Sequence, residues 1–128
     1  MGKILVIGAN GSVGKSCVNN LKDDNDLVLI SGSEFDSDVD GNFEKNVLDI
    51  NDYTNTESFI KSINYEISGI IFAIGSINLK PFSSTSVDDF KKIMDDNFYN
   101  IVHFLNHCIY AMIKDCLLYT SPSPRDAS

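Results

Sequence analysis

The hydrophobic positions of this chain fall into two periods. Ile4-Leu5-Val6-Ile7 and Leu27-Val28-Leu29-Ile30 are unbroken apolar runs, and Gly69-Ile70-Ile71-Phe72-Ala73-Ile74-Gly75 is a third, closed by glycine. Short apolar runs without alternation suit strands covered on both faces, as in a parallel sheet. Between the runs the period turns helical. Lys15 to Leu21 reads as the first turns of a helix, and Asp23 to Asp26 as the turn that ends it. Thr54-Asn55-Thr56-Glu57 has the form of a capping box, and Phe59, Ile60, Ile63 and Ile67 repeat behind it at helical spacing. Ser86-Val87-Asp88-Asp89 is a second capping box, opening a helix predicted to run to about Lys114. Val47-Leu48 reads as a short strand ending at Asp49-Ile50, after a polar, acidic loop from Ser31 to Asn46.

This order of elements predicts an α/β domain: a doubly wound parallel sheet, strand order 3-2-1-4, with right-handed crossovers and helices on both faces. The long helix 86–114 carries one apolar face through Phe90, Ile93, Met94, Asn97, Ile101, Phe104, Leu105, Cys108 and Met112. Asn97 is the one polar residue in that stripe. A buried amide is costly without partners, so Asn97 is expected to have a specific task. Phe98, Val102 and Ile109 form a second stripe, which predicts contact with another helix or another chain.

Composition narrows the function. The 128 residues hold 10 basic and 18 acidic side chains, a net charge of −8, which disfavours a nucleic-acid partner. No apolar run approaches the roughly 18 residues of a membrane span, and the N-terminal apolar run is too short for a signal peptide. A cytoplasmic protein with no membrane partner is expected, its three cysteines, Cys17, Cys108 and Cys116, reduced. Residues 116–128 lack periodicity and carry two prolines, so they are expected to be disordered. That tail resembles translated sequencing adapter, which places the end of native sequence near Lys114 or Asp115; a genuine flexible tail is the alternative.

The chemistry concentrates in Gly8-Ala9-Asn10-Gly11-Ser12-Val13-Gly14, between the first strand and the first helix. A glycine turn there bends tightly, and the free N–H groups at the helix start point at an anion. Its spacing is G-x-x-G-x-x-G, not the more familiar G-x-G-x-x-G. With Asp49-Ile50 after the third strand, Phe72-Ala73-Ile74-Gly75 closing the fourth, and Asp95-Asp96-Asn97-Phe98 on the long helix, the chain resembles the short-chain dehydrogenase/reductase family over residues 3–114.

That resemblance implies a Rossmann-type NAD(P)-binding domain, residues 1–115 being its N-terminal part, and an oxidoreductase that moves hydride between a nicotinamide and a carbonyl or alcohol of a small-molecule substrate. It implies that Gly8, Asn10, Gly11, Ser12, Val13 and Gly14 hold the pyrophosphate and its ribose. Asp49 and Ile50 would hold the adenine, and Ala73, Ile74 and Gly75 would admit the nicotinamide-side ribose. Phe72 and Ala73 replace the two asparagines of the family's Asn-Asn-Ala-Gly segment. Asn97 falls where the family keeps a catalytic-site asparagine. The family's serine and Tyr-x-x-x-Lys belong on a later strand and helix, so the chain as given is expected to be inactive alone. Tyr110-Ala111-Met112-Ile113-Lys114 has that spacing but comes too early, on the helix of Asn97. At the end of the second strand, Gly32-Ser33 leave room for the phosphate of NADP, and Ser33 is a candidate contact; Glu34 as a ribose ligand is the opposing reading for NAD. The full-length parent is expected to be a homo-oligomer through the long helix. The fragment, with an open sheet edge, is expected to aggregate.

The chain also carries three rival motifs. Ala9 to Ser16 fits a relaxed Walker A, in which Lys15 would reach the β/γ-phosphates and Ser16 a magnesium, but no strand ending in a magnesium-binding Asp follows. A non-catalytic nucleotide-binding module is the other alternative. Asp36-Ser37-Asp38-Val39-Asp40-Gly41 matches half a calcium loop, yet Val47 stands where the bidentate Glu belongs, so a solvated acidic loop is expected. His103 and His107, at i, i+4, have metal-ligand spacing, but Phe104 stands where a zinc protease has its Glu; surface histidines and no metal are expected.

Overall fold

The computed structural model describes residues 2–36, 41, 43–75 and 81–113. The acidic stretch 37–40, the loop residues 76–80 and the tail from 114 onward lie outside the described residues, and with them the calcium-loop and adapter readings.

Four strands, β1 (Lys3–Ile7), β2 (Leu27–Ser31), β3 (Glu44–Val47) and β4 (Ile67–Phe72), form one sheet in the order β3-β2-β1-β4. Every pairing is parallel: Leu5 faces Val28 and Ile70, and Ile30 faces Asn46. The alternation that the apolar runs hide appears in three dimensions. Leu5, Ile7, Val28 and Ile30 point to one side, where they meet Ile60, Phe104 and Cys108. Val6, Leu27 and Leu29 point to the other, where they meet Val18 of α1 (Ser12–Leu21). Helices therefore cover both faces: α1 on one, and α2 (Tyr53–Lys61) and α4 (Asn100–Ile113) on the other. The doubly wound parallel architecture and its strand order match the expectation from the apolar runs.

Several boundaries move. β3 begins at Glu44, inside the stretch expected to be loop, and ends at Val47. It is an edge strand with mostly exposed side chains, so its residues need no apolar pattern. The cap of α2 is Asp52, not Thr54: its carboxylate accepts from the Asn55 N–H at 3.1 Å. Thr54 is therefore inside the helix. Ile63 and Ile67 lie past its end, and Ile67 opens β4.

The second capping box is present in full. Ser86 Oγ accepts from the Asp89 N–H, and the Asp89 carboxylate accepts from the Ser86 N–H, at 3.1 and 3.0 Å. The helix it opens is not uniform. α3 (Val87–Met94) runs into a π-helical turn (Asp95–Tyr99) before α4. A π turn carries more residues per turn than an α-helix, so the inward face shifts in phase behind it. This corrects the expectation for Asn97, which is exposed; the asparagine buried on this helix is Asn100. Phe104 and Cys108 keep their inward places, and Phe104 meets Phe72 edge-on with ring centroids 5.9 Å apart. Phe98 and Val102, on the second stripe, are exposed. Among the described residues no helix is long and apolar enough to cross a membrane.

Candidate functional site

The C-terminal ends of the strands converge where the strand order reverses, between β1 and β4, which is where open α/β sheets bind ligands. Gly8 follows β1 with φ +87°, a conformation that favours glycine. A side chain at Gly8 would drive into the backbone of Ala73, and one at Gly14 would drive into the carbonyl of Gly8. These two glycines let strand, turn and helix approach at backbone distance. Gly11 is different: a methyl group there would meet its nearest neighbour, Gly8 O, at an ordinary 3.6 Å.

Gly11 is also the N-cap of α1, and no side chain caps that helix or places an acid in its first turn. The N–H groups of Ser12, Val13 and Gly14 belong to the helix end that lacks intrahelical partners. Together with the helix dipole they form an anion seat. Ser12 and Val13 are exposed beside it, Val13 presenting an apolar surface.

A cleft of about 160 Å³ opens next to this turn, lined by Gly8, Gly32, Asp49, Ile50, Asn51, Ile74, Gly75, Asp96 and Asn100, with Ile7 and Leu48 at its base. Five of the sequence-predicted residues, Gly8, Asp49, Ile50, Ile74 and Gly75, thus share one cleft. Ile50 is buried and Asp49 exposed, its carboxylate accepting from the Asn51 backbone and side chain, both at 2.9 Å. Ala73 ties β4 to β1 through its N–H to Ile7 O, 2.8 Å. Ser33 lies on the exposed rim after β2, its N–H donating to Ser31 Oγ at 3.2 Å. A wider hollow at the opposite ends of the strands, lined by Lys3, Lys22, Asp23, Asn25 and Asp26, has no anion seat and lies away from the switch point.

Asn97 reaches this region despite its exposure. Its Nδ2 donates to Ile93 O at 2.9 Å, and a side chain on Gly75 would collide with its Oδ1. The tip of β4 and the π turn are therefore in contact through Gly75 and Asn97.

Asn10 has a task that spacing does not reveal. Its Oδ1 accepts from the Asp36 N–H at 2.9 Å and its Nδ2 donates to Glu34 O at 3.2 Å. The Lys15 ammonium reaches the Asp36 carboxylate at 3.0 Å, and that hydrogen bond, with the charge of Lys15, holds the Asp36 carboxyl below its usual range. Asn10 and Lys15 together pin the segment after β2 against the glycine turn. Sequence reasoning also missed a polar triad built on the buried Asn100. Tyr53 Oη donates to Asn100 Oδ1 at 2.9 Å, and Asn100 Nδ2 donates to Asn51 Oδ1. The only signal for it was an asparagine near the inward stripe, and the π turn hid which one.

No family model matches the sequence, and no curated protein matches it. Solved structures do. A serine dehydrogenase from Escherichia coli superposes with a TM-score of 0.75 at 16% identity, over 88% of this chain and 56% of its own. A short-chain dehydrogenase from Leptospira borgpetersenii with bound NAD+ gives 0.76 at 18% identity, over 84% and 44%. A short-chain dehydrogenase/reductase from Saccharomyces cerevisiae gives 0.73 at 21% identity, over 89% and 50%. The chain has the fold of the short-chain dehydrogenases. It spans about half the length of these three structures.

Proposed function

We propose that this chain is the coenzyme-binding half of an NAD(P)-dependent oxidoreductase of the short-chain dehydrogenase/reductase type. The observation that carries the reading is the junction of an uncapped glycine turn with the cleft at the switch point. In this reading the N–H groups of Ser12, Val13 and Gly14 seat the pyrophosphate, with Gly8, Asn10 and Gly11 shaping the turn. Asp49 and the Ile50 backbone receive the adenine. Ala73, Ile74 and Gly75 receive the nicotinamide-side ribose. Bound there, the coenzyme would supply hydride to a carbonyl or accept it from an alcohol. Asn97 belongs to the catalytic group by anchoring a water or backbone carbonyl. Its contact with Gly75 and its bond to the Ile93 carbonyl support that role. The substrate site and the proton-transfer groups belong to the whole protein.

NADP remains the favoured coenzyme. A side chain added at Gly32 would meet nothing within 4 Å, so there is room for a 2′-phosphate, and Lys15 supplies a cation beside this rim. Asp36, paired with Lys15, and Glu34 oppose it. The exposed Phe98 (52%) and Val102 (46%) support self-association of the parent protein through the long helix. A cytoplasmic setting fits reduced thiols at Cys17 and Cys108.

The rival P-loop reading would have Lys15 on terminal phosphates. Its ammonium is instead turned to Asp36, and the strand order is that of a dinucleotide fold. Titration with NADPH, NADH and ATP-magnesium tests the proposal. Saturable binding of either nicotinamide supports it, and binding of ATP-magnesium in preference to both refutes it.

A further inference from the structure

The fold completes a ligand set that the sequence leaves at two. His103 and His107 lie one turn apart on α4. Glu57 of α2 stands opposite both, its Oε2 3.1 Å from His103 Nε2 and its Oε1 3.9 Å from His107 Nε2. The three ligand atoms lie within 4.8 Å of one another. We propose that Glu57, His103 and His107 bind one divalent transition-metal ion of zinc's class, held between α2 and α4.

The placement of the three ligand atoms carries the argument, and the outer contact of His107 supports it. His107 Nδ1 lies 2.9 Å from the His103 carbonyl oxygen. A carbonyl can only accept, so Nδ1 holds the proton, and in the neutral ring Nε2 presents a lone pair. That lone pair faces a carboxylate oxygen, which is also an acceptor. A metal ion placed between these two acceptors, 3.9 Å apart, would satisfy both, whereas a protonated Nε2 would instead pair with the carboxylate directly. The Nδ1–H to carbonyl bond is the outer contact that orients metal-binding histidines. His103 gains its orientation differently: the Tyr53 ring stacks on it, 3.7 Å between centroids and 8° from parallel.

The spacing suits the ion. Tetrahedral zinc, with bonds of about 2.0–2.1 Å to nitrogen and oxygen, sets its ligands about 3.3 Å apart. The observed 3.1 and 3.9 Å separations bracket that distance. Two imidazoles and one carboxylate are the donors of borderline ions such as zinc, cobalt and nickel, and do not suit calcium or magnesium, which take oxygen. The His103 side chain is 12% exposed and that of His107 36%, so the fourth position opens to solvent and would hold water. Metal binding takes the Nε2 of both histidines unprotonated. The ion would join α2 to α4, one turn beyond Asn100 at the wall of the cleft.

The test uses the full chain without a histidine tag, with zinc ion alone as probe, in competition with a chromogenic chelator. The expected result is one equivalent bound in the micromolar range or tighter, weakened at least ~10-fold in His107→Gln and in Glu57→Gln, and unchanged in Cys17→Ser. Cobalt ion should give the visible bands of a four- or five-coordinate site, lost in His107→Gln. His107 is partly exposed, so that variant keeps the fold, which circular dichroism checks. Absence of binding below millimolar, or equal affinity in wild type and His107→Gln, would overturn the proposal. So would a melting temperature that depends on both histidines but ignores zinc, which would make the cluster a hydrogen-bonded clamp.

Discussion

Gly14→Ala is the sharpest probe of the glycine turn. The added methyl would overlap the Gly8 carbonyl and stand 2.8 Å from the Ala9 Cα. Both obstacles are backbone, so no rotamer can relieve them; α1 must move off β1. Overpacking of this kind costs about 1–3 kcal/mol, and rigid backbone on the far side puts it near the upper end. Alanine returns about 1 kcal/mol of helix propensity, because Gly14 is inside α1. The net loss is about 2 kcal/mol, roughly a 30-fold shift toward the unfolded chain and about 8 °C in melting temperature. Gly11→Ala is the control. It meets nothing closer than 3.6 Å and has φ −82°, open to any residue. Alanine is a poorer N-cap than glycine by a few tenths of a kcal/mol or more, and the unfolded chain loses about 0.4–1 kcal/mol of conformational freedom in compensation. The two nearly cancel. Urea denaturation of wild type and both variants measures the difference. Equal midpoints for the two variants, or a Gly14→Ala protein as stable as wild type, would refute the close packing of turn and helix.

Other expectations follow from burial and charge. Phe104→Ala removes a fully buried ring that braces Phe72, and should cost about 3–5 kcal/mol by the same denaturation assay. Asn100→Leu removes the hydrogen bonds from Tyr53 and to Asn51, both exposed and open to water, at about 0.5–1.5 kcal/mol each. Asn97→Leu, at an exposed site, should cost less than 1 kcal/mol; the reverse ranking would put the buried amide back at 97. Burial pushes the Cys108 thiol up to about 12 from 9.0. The folded chain thus keeps a proton that the unfolded chain releases, so stability is full below pH 9 and falls as pH rises from there toward 12. Under reducing conditions the urea midpoint should drop across that window, and less steeply in Cys108→Ala.

The four strands and their order were legible because each central strand is apolar on both faces, a pattern that only a covered parallel sheet satisfies. β3 escaped notice until Val47: an exposed edge strand such as Glu44–Val47 carries no such mark. Asp52 was overlooked as a cap because Thr54-Asn55-Thr56-Glu57 offered a competing box two residues later, and only backbone geometry decides between them. The Asn97 and Asn100 reversal has one cause. Uniform α-helical counting places Phe104 and Cys108 correctly behind Asp95–Tyr99, but the π turn changes the phase, and Phe90, Met94 and Leu105 of the expected inward stripe are exposed.

In the site, the three glycines were readable as one tight turn, but not which of them pack against backbone: Gly8 and Gly14 do, and Gly11 is constrained less. Long-range pairings were not readable. Lys15 looked like part of a Walker motif and Asp36 like the start of a calcium loop, and the fold pairs them with each other. Likewise His103 and His107 showed their spacing, but Glu57 stands 46 residues before His103, and its approach depends on how α2 packs on α4.

The central claim is that the glycine turn and the switch-point cleft seat a nicotinamide dinucleotide. The chain has no tryptophan, so the fluorescence of NADPH or NADH can be followed directly as protein is added. Saturable enhancement is predicted, retained for NADH in Lys15→Ala and not displaced by ATP-magnesium. No enhancement with either coenzyme, or tight ATP-magnesium binding that collapses in Lys15→Ala, would contradict it.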